Sequence, residues 1–294
     1  MYYDRVPVPE LLALLHPGGP IRWLVDLAVA EPGMHLQLRR SRGGRARGSV
    51  QLYLGRTSPL EVVAASAGLF RLGTHRTYAV LDPELFARDR TYGEVGGLRP
   101  RLEAFVRGVQ RTAAASFTDG EAVAQVGLLR RYGPLARAGD PFVALDSEVV
   151  IGFDSRPDRD RYEASLRADL QLRDVHRELD VVGVLADGSV ALVELKAPGG
   201  DLHVAVAQAA SHVHRFSRLP AGWEVRGLGA LAEAKRALGL LPYAPVVAVP
   251  PRLVPIVAAP DLPATWCPLR PDLAAGVRLW RLGGGGEILE ERRP

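Results

Sequence analysis

Apolar and polar residues alternate with period two in two short runs, "MHLQLRR" at 34–40 and "VQLYL" at 50–54. Such alternation puts successive side chains on opposite faces of a strand. With the glycine-rich "SRGGRARGS" between them, the two runs predict a β-hairpin. "TSPLEVVAASAGLF" then reads as a helix, because Ser58, Pro59 and Glu61 match a capped start with proline at the first helical position. "GTHRTYAVL" reads as a strand and "DPELFARD" as a short capped helix. "RPRLEAFVRGVQRTAAASF" and "DGEAVAQVGLLRRYG" carry apolar residues at helical spacing and predict two amphipathic helices.

Beyond "GPLARAGDP" near 133–141 the pattern changes. "PFVALDSEVVIGF" is rich in β-branched residues and predicts a strand, and "SRPDRDRYEASLRADL" a helix capped by Ser155. "LQLRDVH" reads as a short strand, and "DVVGVLADGSVALVELK" (180–196) as two strands around a turn. "GGDLHVAVAQAASHVHRF" predicts a helix from about 201 to 216, and "APVVAVPP" a buried strand. "GVRLWRL", the glycines at 283–286 and "EILEERR" predict a closing hairpin. A strand pair followed by a helix and a further strand argues for an α/β core. The expected organisation is a mixed α+β domain over 1–140, the core over 141–255 and a C-terminal β-hairpin extension over 256–294.

Composition adds limits. At 294 residues and 47% apolar, the chain is globular, with material for one large core or two ordinary ones. One cysteine, Cys267, excludes an intrachain disulfide and a cysteine-rich zinc site. His212 and His214, at i,i+2, point apart on a helix. The N-terminus lacks the layout of a signal peptide, and no apolar run approaches the roughly 20 residues of a membrane helix. A cytoplasmic protein without a membrane partner is expected. Of 37 basic residues 35 are arginine, and the only lysines are Lys196 and Lys235. Arg39, Arg40, Arg42, Arg45 and Arg47 cluster at the tip and flanks of the first hairpin, where guanidinium forks would grip phosphates of a polyanion.

The candidate chemistry lies in 180–196. Glu194 and Lys196 share one face of their strand, and Val193 and Leu195 the other. A two-residue loop at Asp187-Gly188 would turn Asp180 to the wrong face. A three-residue loop, Ala186-Asp187-Gly188, puts Leu185 opposite Ser189 and Asp180 opposite Glu194. Such loops place a left-handed residue, usually glycine, last, where Gly188 stands. The three-residue register is therefore expected, with the two carboxylates about 5 Å apart at their Cβ atoms. Two carboxylates in an apolar sheet call for a cation between them, and a hard divalent ion takes such oxygens. Lysine is a compact charge able to take part in proton transfer, which arginine is not.

"RELDVVGVLADGSVALVELK", followed by a helix carrying Gln208 in "AVAQAASHVHRF", resembles the PD-(D/E)XK nuclease superfamily, most closely its NucS/EndoMS-type endonuclease branch. The resemblance covers residues 155–220 and implies a restriction-endonuclease-like core, a mixed sheet flanked by helices. It implies that Asp180, Glu194 and the carbonyl of Leu195 bind Mg²⁺, for which Mn²⁺ would substitute. Lys196 would orient the attacking water and Gln208 support it. A glutamate from the preceding helix would be Glu163, with Glu148 in reserve, and His212 lies one turn beyond Gln208. The implied activity is hydrolysis of DNA phosphodiesters, in repair or in defence against foreign DNA. No base-reading motif is present, so single-stranded, branched or mismatched DNA is a better substrate than a specific sequence. Cutting both strands needs two sites, which points to a homodimer. The competing readings are a non-catalytic nucleic-acid-binding module on the same fold and a purely structural salt-bridge cluster.

Overall fold

The structure, a computed structural model, describes every residue except 4, 6, 32, 41–47, 56, 67, 88–89, 94–96, 113–119, 173–174, 264–265, 294 and the side chain of Arg40. Its elements run α1 (Pro9–Leu15), α2 (Arg22–Ala30), β1 (Met34–Arg40), β2 (Gly48–Leu54), β3 (Thr57–Ser66), β4 (Leu69–Gly73), α3 (Arg76–Ala79), α4 (Leu98–Thr112), α5 (Gly120–Arg131), β5 (Phe142–Val150), α6 (Arg156–Leu170), β6 (Glu178–Leu185), β7 (Val190–Leu195) and α7 (Leu202–Phe216). A π-helical stretch, Glu224–Gly229, leads into α8 (Ala230–Ala237), then β8 (Leu253–Ala259), α9 (Pro271–Ala274), β9 (Arg278–Leu282) and β10 (Ile288–Arg292). The architecture is α/β, with two sheets flanked by helices: an antiparallel β1-β2-β3-β4 and a mixed β10-β9-β8-β7-β6-β5.

The first hairpin forms in the expected register, Met34 opposite Leu54 and Arg40 opposite Gly48. Its strand β1 buries both faces. Met34, Leu36 and Leu38 enter the core under α1, α2 and α4, while Gln37 and Arg39, one residue out of phase, turn to β5. The segment expected to be a helix at 57–70 is instead β3 and the start of β4. Leu60, Val62 and Ala64 alternate into the core, and β3 pairs on both sides. Pro59 sits in a register irregularity, where a missing N–H is tolerated. Four further expectations fail. "GTHRTYAVL" holds the short α3, capped by His75, and leaves Val80 and Leu81 exposed with no sheet to cover them. "DPELFARD" forms turns, with Asp82 holding the Leu85 N–H. The buried strand expected at 244–251 is irregular, with Val246 84% exposed. Pro245, Pro250 and Pro251 deny it a ladder, and the strand begins at Leu253. No described residue of "LQLRDVH" lies in a strand, since Gln171 ends α6 in the left-handed conformation.

The six-stranded sheet is covered on both faces. Val181, Val193 and Leu195 pack with Leu128 and Leu129 of α5. The opposite face meets α7, whose Phe216 joins Val182 and Leu192. The hairpin β9–β10 extends this same sheet. The two sheets also share elements: Leu231, Ala234 and Leu238 on and after α8 complete the core of the first, and Tyr3 packs in that of the second.

Candidate functional site

The β6–β7 turn closes with a three-residue loop. Leu185 donates to Ser189 O at 2.9 Å, and Gly188, at φ +81°, donates to Leu185 O at 2.9 Å. Pairing runs from Val184 opposite Val190 to Val181 opposite Val193. One further step puts Asp180 opposite Glu194, both buried. Asp180 Oδ2 accepts the Leu195 N–H at 2.7 Å, which fixes the carboxylate against the end of β7. At β7 the sheet changes from antiparallel, with β6, to parallel, with β8.

Here a polar cleft of about 560 Å³ opens, lined by Glu121, Val175, His176, Arg177, Glu178, Asp180, Glu194, Lys196 and Gln208. Four of the expected residues therefore meet: Asp180, Glu194, Lys196 and Gln208. α7 supplies Gln208 from a stripe that continues through Ser211, His212 and Arg215, all buried, at the spacing of one helical face. Gln208 Oε1 is buried with no hydrogen-bond partner among the described residues. His212 Nε2 lies 2.9 Å from Glu194 Oε1, within contact but not aligned as a hydrogen bond. Burial, with the Arg215 charge behind it, pushes the His212 ring down to about 3, so it is neutral near pH 7.

Glu121 was missed in the sequence. It stands in the first turn of α5, with its Oε1 3.8 Å from Lys196 Nζ. Two features hold α5 there. Gln125 donates to the Asp180 carbonyl at 3.0 Å. A Cβ on Gly120 would come within 2.8 Å of Pro198, so glycine lets the helix start touch the chain just after Lys196. That glycine at the start of the helix was the available signal.

Glu163 does not line the cleft. It is buried behind the wall, in a two-pronged pair with Arg177 at 2.7 and 2.8 Å. Glu148 is remote too, its carbonyl accepting from Arg5 at 2.9 Å. Arg39 departs from the expected phosphate grip. It is 6% exposed and donates to Asp146 and to the Ser147 carbonyl, both at 2.9 Å, because strand alternation turns it inward with Gln37. Arg42, Arg45 and Arg47 lie outside the described residues, as does the side chain of Arg40.

Among the described residues no three His, Cys, Asp or Glu side chains form a ready metal cage. The donors that fit a hard divalent ion are the Asp180 and Glu194 carboxylates with the Leu195 carbonyl. Two observations favour a cation there: the partnerless Gln208 oxygen, and a lining of four carboxylates against Arg177 and Lys196. Among the described residues no helix is long and apolar enough to cross a membrane.

No protein-family model matches the chain, and no curated protein matches it. Among solved structures, a repair endonuclease from Pyrococcus abyssi is similar at 12% identity over 95% of this chain and 97% of that one, with a TM-score of 0.19. A likeness that loose carries no argument, and the functional reading rests on the cleft.

Proposed function

We propose that the protein is a metal-dependent endonuclease that hydrolyses DNA phosphodiester bonds, in repair or in defence against foreign DNA. The carrying observation is the register that sets Asp180 opposite Glu194 in one cleft with Lys196 and Gln208. In this reading the six-stranded sheet is a restriction-endonuclease-like core of the NucS/EndoMS type, and the N-terminal sheet is a DNA-binding or dimerising unit. Asp180, Glu194 and the Leu195 carbonyl would hold Mg²⁺, or Mn²⁺ in its place. When bound, the ion supplies neutralisation of the carboxylates, polarisation of the phosphate and acidification of a water.

The chain's own groups do the rest. The Leu195 N–H fixes Asp180. Glu121 draws the Lys196 ammonium to the cleft wall, where it offsets charge growing on the phosphoryl oxygens. Gln208 presents a neutral oxygen that orients water without adding charge. The Arg177 and Lys196 cations among the described lining residues suit a grip on the strand's backbone.

The test is cleavage of labelled single-stranded, duplex, mismatched and branched DNA with Mg²⁺ or Mn²⁺. The expected result is metal-dependent cutting that disappears in Asp180→Asn and Lys196→Ala. Cutting that survives in both variants, or binding without cutting by the wild type, overturns the reading.

A further inference from the structure

The Glu163–Arg177–Arg215 cluster behind the cleft has more positive than negative charge, and its geometry directs the excess toward the cleft. Glu163 is 5% exposed at its side chain, and both its oxygens go to Arg177: Nε to Oε1 at 2.7 Å and Nη2 to Oε2 at 2.8 Å. Arg215, 1% exposed, stands behind with Nη2 4.0 Å from the same Oε1. One carboxylate thus faces two guanidinium groups. Arg215 Nη1 also donates to the Arg177 carbonyl at 3.2 Å, which fixes the Arg177 backbone. Arg215 Nε and Nη2 have no hydrogen-bond partner among the described residues, where Glu163 is the carboxylate that acts on its charge.

A guanidinium carries five N–H donors. Glu163 takes the Nε–H and one from Nη2, which among the described residues leaves both at Nη1 and the second at Nη2. That remaining edge is a second fork of the kind that grips phosphate in two places. Arg177 is 52% exposed and lines the same cleft as Asp180 and Glu194. A salt bridge that only tied α6 to the segment before β6 would not need a second buried arginine behind its carboxylate. Such an arginine raises the potential at Arg177 and costs desolvation.

We propose that Arg177 binds a backbone phosphodiester of the nucleic-acid strand entering the cleft, and that Glu163 and Arg215 are positioning residues that aim its fork. The proposal deepens the nuclease reading and rests on it for the location of the strand. It does not rest on cutting.

The experiment is fluorescence anisotropy of a labelled DNA single strand titrated with the full chain over a series of salt concentrations, alongside thermal unfolding and the cleavage assay. Arg177→Gln should weaken binding about tenfold and lower the slope of log affinity against log salt by about 0.7, the loss of one single-strand phosphate contact. Arg177→Lys should retain the slope and lose several-fold in affinity, because the charge stays and the fork goes. Glu163→Gln should also keep the slope and lose affinity, since Arg177 remains charged but loses its aim. In the cleavage assay, Arg177→Gln should raise KM more than it lowers kcat. An unchanged slope in a folded Arg177→Gln variant overturns the proposal, as does a wild type that binds no DNA. Binding without cutting, with the slope lowered in Arg177→Gln, would sustain the proposal while the nuclease reading fell.

Discussion

Two polar clusters in this protein hold charged groups in different ways. Between the sheets, Asp146 is fully buried and surrounded by protein. Arg39 donates to Oδ1 at 2.9 Å, Arg5 Nε lies 3.3 Å from Oδ2 and Tyr3 donates to the same oxygen at 3.3 Å. Gln37 and Ser147 bond at 2.8 Å, and Lys235 reaches Gln37 Oε1 at 3.5 Å. At the end of β7, Asp180 and Glu194 are nearly as buried but line an open cleft with two further carboxylates. The first cluster matches its carboxylate with protein cations and fastens one sheet to the other. The second gathers more negative charge than its cations offset, which fits a site for a cation and an anionic substrate. The chain's two lysines divide between them, one in each.

Substitutions should separate the clusters, and the largest effects come from their central aspartates. Asp146→Asn leaves Arg39 and Arg5 buried without their nearest counter-charge and should cost about 3–5 kcal/mol in urea unfolding, with cleavage per folded molecule unchanged. Asp180→Asn should do the reverse. It keeps an oxygen for the Leu195 N–H, so stability should hold, while cleavage should fall by about 10²–10³-fold or more. If both variants lost stability alone, the distinction would collapse.

A smaller effect should come from Lys235. Burial pushes its ammonium down from 10.5 to about 8. With the folded pKa below the unfolded one, the unfolded chain binds more protons between these values, so this residue's contribution to stability rises with pH from about 8 toward 10.5. Lys235→Met should therefore be about 1–3 kcal/mol more stable than the wild type at pH 7, and the gap should narrow across that range. A gap that widened with pH would contradict the assignment. The smallest effect is expected at Glu121→Gln. Its pair with Lys196 is partly solvated, worth up to about 1 kcal/mol, so cleavage should slow by no more than about fivefold.

How much of this was legible in the sequence depended on whether the signal was local. The β6–β7 register was, because a glycine able to take positive φ at position 188 selects the loop length and so the face of every side chain in both strands. Ser155 as a cap and the helix carrying Gln208 were local too. The strand at 57–66 was misread because Ser58, Pro59 and Glu61 imitate a helix start, and the competing alternation of Leu60, Val62 and Ala64 wins only once β2 and β4 flank it. Arg39 was misassigned because clustering in sequence does not say which face a strand presents to a second sheet. Glu121 was out of reach because α5 meets Lys196 only through tertiary packing, and Glu163 was placed in the site by the family resemblance alone, which carries no sign of its pair with Arg177.

The central claim is that Asp180 and Glu194 form a cation site while Asp146 does not. Calorimetric titration of the full chain with Mn²⁺ tests it most directly, in the wild type, Asp180→Asn and Asp146→Asn at a temperature where all three are folded. The account predicts saturable binding in the wild type and Asp146→Asn, and its loss in Asp180→Asn. Undiminished binding in Asp180→Asn, or none in the wild type, would contradict it.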